Sequence, residues 1–193
     1  MNLEEINNKI KEEKVDIAVV CFGGCSSNTL VSILEKNGYK VKSNIHGKIL
    51  CHCPSPIKLD IPVIYLYRDP REALLSMKRR GKGIWDLNQK KLSNNNKTKL
   101  SDGNLLKLML DQFYKWTVFK ENKMIILKYE ELFETSVVEK LQVFLNNYNL
   151  VNLPISYVKP HISEDIVENV DYKLKQLFDK YKNQIKGINE FAY

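Results

Sequence analysis

Residues 15–22, VDIAVVCF, form an unbroken run of apolar, largely β-branched side chains closed by Gly23 and Gly24, the pattern of a strand buried on both faces. Beyond the glycines, Leu30, Ile33 and Leu34 recur at helical spacing, and the pattern stops at Asn37-Gly38, a pair suited to a helix C-terminus. Short strands are predicted next in YKVKSNI (39–45), KILCHC (48–53) and IPVIYLY (61–67). The last runs directly into RDPREALLSMKRR (68–80), where Asp69 suits a helix N-cap, Pro70 the first helical position and Glu72 the third position of a capping box. Helical spacing returns in 104–120 through Leu105, Leu108, Met109, Gln112, Phe113 and Trp116, followed by a buried strand in MIILKY (124–129). A further helix is predicted in SVVEKLQVFLNNYNL (136–150), with Ser136 and Glu139 as its capping box, and a final amphipathic one in 165–185. Residues 81–103 hold no sustained period and many turn formers, so they are predicted to be a long loop or lid.

Strands alternating with helices imply an α/β protein with a largely parallel sheet and right-handed crossovers. With 193 residues, 44% of them hydrophobic, the chain suits one globular domain spanning 1–193; no repeat or linker interrupts it. The amino-terminal stretch MNLEEINNKIKEEKVD lacks the basic-then-apolar order of a secretory leader, and no apolar run approaches the roughly 18 residues that a membrane helix needs. A soluble, cytoplasmic protein without membrane association is therefore expected. Cys21, Cys25, Cys51 and Cys53 form two close pairs, neither with C-x-x-C spacing. Both pairs end apolar runs, so they are expected to be reduced core thiols rather than metal ligands.

The net charge of +7 favours an anionic ligand without naming it; no nucleic-acid recognition motif is present. Arginine usage is more informative. Of 30 basic residues only four are arginine, and all four (Arg68, Arg71, Arg79, Arg80) lie within thirteen positions. Guanidinium binds phosphate through two parallel hydrogen bonds, which an ammonium cannot do, so this window is read as an anion site. Ser76, two helical turns beyond Arg68, is placed to share that anion. The stretch FGGCSSNT (22–29) adds a second anion-binding feature, in which a glycine turn, the free N–H groups of a helix start and the hydroxyls of Ser26, Ser27 and Thr29 resemble a phosphate cradle. It lacks the lysine of a nucleoside-triphosphatase loop. His52, at a predicted strand end before Cys53-Pro54, is a candidate general base.

The order of glycine–hydroxyl loop, strand-end His-x-Pro, Arg-Asp-Pro-Arg-x-Ala-x-x-Ser, Trp-bearing helix and Tyr-Glu-Glu-Leu resembles the sulfotransferases that use 3′-phosphoadenosine 5′-phosphosulfate (PAPS). The resemblance covers about residues 15–150, and VIYLYRDPREALLS is its most specific part. It implies a single-domain three-layer sandwich of the P-loop nucleotide-binding type. It implies further that Gly23, Gly24, Cys25, Ser26, Ser27, Asn28 and Thr29 cradle the 5′-phosphosulfate, that Arg68 and Ser76 hold the 3′-phosphate, that Tyr129 lies near the adenine, and that His52 deprotonates the acceptor. Sulfuryl transfer to a hydroxyl or amine of a small-molecule, carbohydrate or lipid acceptor, releasing 3′-phosphoadenosine 5′-phosphate (PAP) without a metal, follows from the same resemblance. Gly23 stands where the family loop commonly carries a Lys or Arg, and Asn28 where a Trp often packs on adenine. The C-terminal Arg-Lys-Gly motif has only YVKPHIS (157–163) and QIKGINEF (184–191) as loose counterparts. Lys58 and Lys78 are candidate replacements for the loop cation. Alternative readings are a catalytically impaired PAPS- or PAP-binding protein and a P-loop kinase.

Overall fold

The computed structural model of the chain describes residues 3–42, 52–93, 100–132, 134–146 and 171–191. Four parallel strands make the sheet, in the order β2-β1-β3-β4: β1 (Ile17–Val20), β2 (Val41–Lys42), β3 (Val63–Tyr67) and β4 (Met124–Lys128). β1 and β3 are buried along their full length, which is why their sequences are continuous apolar runs without alternation. Register is fixed by Val20 opposite Tyr65 and by Tyr65 opposite Ile126. The helices are α1 (Leu3–Glu12), α2 (Ser27–Lys36), α3 (Pro70–Arg79), α4 (Lys82–Ser93), α5 (Asp102–Val118), α6 (Thr135–Asn146), α7 (Tyr172–Lys180) and α8 (Lys182–Asn189). The architecture is α/β and is compatible with a three-layer sandwich.

The strand order decides where ligands can enter. From β1 the chain crosses through α2 to β2 on one side, whereas β3 crosses through α3–α5 to β4 on the other. The connections diverge at the carboxyl ends of β1 and β3, where an open parallel sheet has its binding crevice. The glycine loop leaves β1 there, and Arg68 leaves β3 beside it.

Tyr65 and Tyr67, two residues apart and so on one face of β3, carry α5: Trp116 stacks on Tyr65 at 6.0 Å between ring centroids, and Phe113 meets Tyr67 edge-on at 5.1 Å.

Several predicted elements change. Residues 82–93 of the expected loop are α4, whose inward stripe is Trp85, Asn88, Gln89 and Leu92. Two buried amides interrupt the apolar period, so the helix does not register as one. Gln89 fastens its end by donating to Leu100 O (3.2 Å) and accepting from Leu100 N (2.9 Å). Among its described side chains α1 buries only Ile6 and Ile10, and it is also tied down by Asn7, which accepts from the Asp60 amide at 3.1 Å. α6 begins at Thr135, so Ser136 lies inside the first turn rather than at the cap. The carboxyl-terminal helix is two helices broken at Tyr181 (φ −105°, ψ 15°). At α3, Asp69 caps as expected by accepting from Arg71 N at 2.8 Å, but Glu72 turns to Arg68 instead of reaching back. The strand predicted at 48–53 lies outside the described residues, except for its end at His52 and Cys53; YVKPHIS lies outside them entirely. No helix among the described residues is long and apolar enough to cross a membrane.

Candidate functional site

Gly23 (φ +95°), Gly24 (φ +67°) and Ser26 (φ +54°) all occupy the left-handed region. Glycine adopts this conformation freely; for serine it is strained, and such strain collects at functional turns. Ser26 is the N-cap of α2, yet its side chain makes no capping bond, and Thr29 N is taken up by Ser26 O at 2.9 Å. The result is a turn of concave backbone leading into a helix start without a side-chain cap, with Ser27 and Asn28 in the first turn. Cys25 is packed into the core: its buried thiol donates to Gly23 O at 3.2 Å, and burial pushes its pKa well up, with Cys21 adding to the effect.

Glycine is required at both positions for space as well as for dihedral angle. A Cβ on Gly24 would stand 2.3 Å from the backbone oxygen of Ala73, so α3 rests directly on the loop. A Cβ on Gly23 would stand 2.7 Å from His52 Cε1, 3.0 Å from His52 Nδ1 and 3.1 Å from Asn88 Oδ1. His52 and the glycine loop are thus brought together, and the space beside Gly23 is filled by an imidazole and an amide.

Gln112 holds these pieces in register. Its side chain is fully buried, and its Nε2 donates to Cys21 O (3.1 Å) at the root of the loop and to Cys53 O (2.8 Å) beside His52. Its Oε1 accepts from Tyr65 OH (3.2 Å). Trp116 Nε1 also donates to Cys53 O, at 3.0 Å. The sequence displays Gln112 only as a member of an apolar helical stripe; an amide at a core position is itself the signal, because a buried amide has to find partners.

Arg68 is 8% exposed. Its Nη1 donates to Gly24 O at 3.4 Å, Nη2 is bonded to Glu72, and Nε lies 3.5 Å from Glu130 Oε1. Tyr129 spreads beneath the guanidinium, 5.1 Å from Cζ to the ring centroid. The structure therefore joins Arg68 to the glycine loop and to Tyr129; Ser76, buried two turns along α3, is not hydrogen-bonded to it. Asp69 is held by Arg71 and by Asn189 Nδ2 (2.8 Å). Burial alone would raise the Asp69 carboxyl, but these bonds outweigh it and keep the pKa below the usual range. Asn189 belongs to QIKGINEF, and its backbone oxygen accepts from Lys128 at 3.0 Å. The chain's end thus closes on the carboxyl ends of β3 and β4.

Neither candidate replacement for the loop cation is placed to serve. Lys78 is paired with Asp102 and lies over the Trp85 ring. The Lys58 backbone oxygen bonds to Asn7 of α1, and the next amide, Leu59 N, bonds to Asn122 ahead of β4. Lys58 therefore sits at the amino ends of the strands, about 16 Å of β3 away from the loop. A groove along β4 and α6, lined by Tyr67, Val137, Phe144 and Phe191, touches neither the glycine loop nor Arg68. Among the described residues no cluster of His, Cys, Asp and Glu could hold a metal ion.

Comparison with known proteins returns no match: no family model, no curated protein and no solved structure is similar to this chain.

Proposed function

We propose that the chain is a PAPS-dependent sulfotransferase. The observation that carries the reading is the meeting, at the divergence of the β1 and β3 connections, of a left-handed Gly-Gly-x-Ser turn without a side-chain cap, Arg68 bonded to that turn, and His52 packed on it. This arrangement offers N–H groups to a phosphate, a guanidinium to a second phosphate and an imidazole to the acceptor, in line with the sequence resemblance. The residues fit the donor in part: the cradle is formed, while Arg68 is in the grip of two carboxylates. His52 takes the proton from the acceptor hydroxyl or amine as its oxygen or nitrogen bonds to sulfur. The sulfur–oxygen bond to the phosphate breaks, and the amides at the start of α2, with Ser26 and Ser27, take up the charge on the leaving oxygen. The acceptor class is a small molecule, carbohydrate or lipid.

A second reading, a nucleotide-binding relative with impaired turnover, is favoured by the packing around Gly23, which leaves no room for a loop cation. Calorimetric titration with PAP and with ATP, on wild type and Arg68→Ala, tests the binding half. Preference for PAP that the substitution abolishes is expected; preference for ATP, or no effect of the substitution, refutes it. Sulfate transfer across an acceptor panel, lost in His52→Ala, then separates the enzyme from the impaired relative.

A further inference from the structure

The charge balance around Arg68 does not suit a simple anion site. One guanidinium faces two carboxylates, Glu72 bonded to Nη2 and Glu130 at 3.5 Å from Nε, so the cluster carries one net negative charge when both are ionised. A phosphate dianion entering beside them would be repelled. The two carboxylates are not equivalent. Glu72 is hydrogen-bonded to Arg68 from the first turn of α3. Both oxygens of Glu130 are buried and make no bond of hydrogen-bond geometry among the described residues, so its ionised form is the less supported.

We infer that Glu130 makes the Arg68 site proton-coupled, so that a phosphate dianion is admitted only together with a proton taken up by the Glu130 carboxyl. This deepens the PAPS reading and rests on it for the identity of the ligand. With Glu130 neutral, the balance of one guanidinium and one carboxylate is zero, and the free N–H directions of Arg68 can turn to phosphate. Tyr129 beneath the guanidinium keeps it in place during the exchange. The neighbours leave Glu130 as the group that responds. From the loop, Cys25 is pushed up by burial. From β3, Tyr67 is pushed up by burial, with Glu131 and Glu130 contributing. Asp69 is held low by Arg71 and Asn189 once burial is outweighed, and Glu131 lies 3.5 Å from Lys128. Burial moves Glu130 upward and Glu72 adds to it, outweighing the opposing pull of its own backbone N–H, of Arg68 and of the Asp69 backbone N–H, in the direction the coupling needs.

The test is calorimetric titration of the full chain with PAP, in buffers of different ionisation enthalpy and across neutral to mildly alkaline pH. Wild type should take up about one proton per ligand and lose affinity by up to about tenfold per pH unit, the slope of a one-proton linkage. Glu130→Gln should bind more tightly at the alkaline end and take up no such proton, whereas Glu72→Gln should keep the uptake. The ligand phosphate's own titration is common to all variants and cancels in the comparison. Arg68-dependent PAP binding with no proton uptake, or equal or weaker binding by Glu130→Gln with the wild-type pH slope, overturns the coupling and leaves the donor assignment standing. Proton-coupled, Arg68-dependent binding of ATP in preference to PAP keeps the coupling and removes the donor assignment. Binding by neither wild type nor Glu130→Gln removes both. Should Glu130→Gln fail to fold, the proton count on wild type at the alkaline end, where the free ligand's phosphate is already a dianion, decides: no uptake there overturns the coupling.

Discussion

Replacing Gly24 by alanine is the sharpest perturbation of the glycine loop. At φ +67° an L side chain costs about 1–2 kcal/mol. The added methyl carbon would also stand 2.3 Å from Ala73 O and 2.9 Å from Ala73 C and Cα. All three are atoms of the first turn of α3, so no side chain can swing aside; the helix must move off the loop, an overpacking cost of about 1–3 kcal/mol. The two costs together come to about 2–5 kcal/mol. Gly38, at the end of α2, supplies the control, because it has φ +87° and nothing within 4 Å of its added carbon. Gly38→Ala should cost only the dihedral share. Urea unfolding of both variants, read at constant m, measures the difference directly, and PAP titration shows whether the loop survives. Equal losses for the two substitutions, or a loss below about 0.5 kcal/mol for Gly24→Ala, the ordinary range of a surface change, would refute the claim that α3 rests on the loop.

Two further outcomes are expected. Gln112→Met, close in volume, removes the bonds to Cys21 O, Cys53 O and Tyr65 OH and orphans the buried Tyr65 hydroxyl, so unfolding free energy should fall by at least about 1–3 kcal/mol; Cys53 O keeps Trp116, and a loss under about 0.5 kcal/mol in urea melts would contradict the tether. Asp69 has a folded pKa below its unfolded value, so its stabilising share is fully present above the unfolded carboxylate pKa of about 3.9 and lost as pH falls through the folded value. Asp69→Asn should therefore lower stability at neutral pH and flatten the acid limb of a stability–pH curve, and an unchanged limb would contradict the assignment.

The fold was legible wherever one physical rule acted alone. β1 and β3 are buried on both faces, so an unbroken apolar run is their complete signature. The start of α3 is announced by Asp69 and Pro70, which act locally through cap and ring. α4 was hidden because Asn88 and Gln89 occupy its inward face, where polarity reads as surface. The break at Tyr181 was hidden because the apolar stripe continues through it, from Phe178 to Ile185. In the site, the glycines and Arg68 stand out by residue type, since few other residues can do what they do. The partners of Arg68 did not: Glu72 is chosen over the cap, and Glu130 arrives from the turn after β4, more than fifty residues later. A pairing of that kind is decided by tertiary proximity, which no local pattern encodes.

The attachment of α8 has a consequence for how the protein comes into being. Asn189 clasps Asp69 and Lys128, Tyr67 OH donates to Phe191 O at 3.2 Å, and Phe191 packs on Phe113. The glycine loop lies at 22–29, but the support behind it is finished by Asn189 and Phe191, far later in the chain. Since synthesis delivers the amino terminus first, a nascent chain carries the glycine loop on an unfinished support until α8 has emerged. A chain cut before α8 would have every residue of the glycine loop and lack the clasp that steadies it.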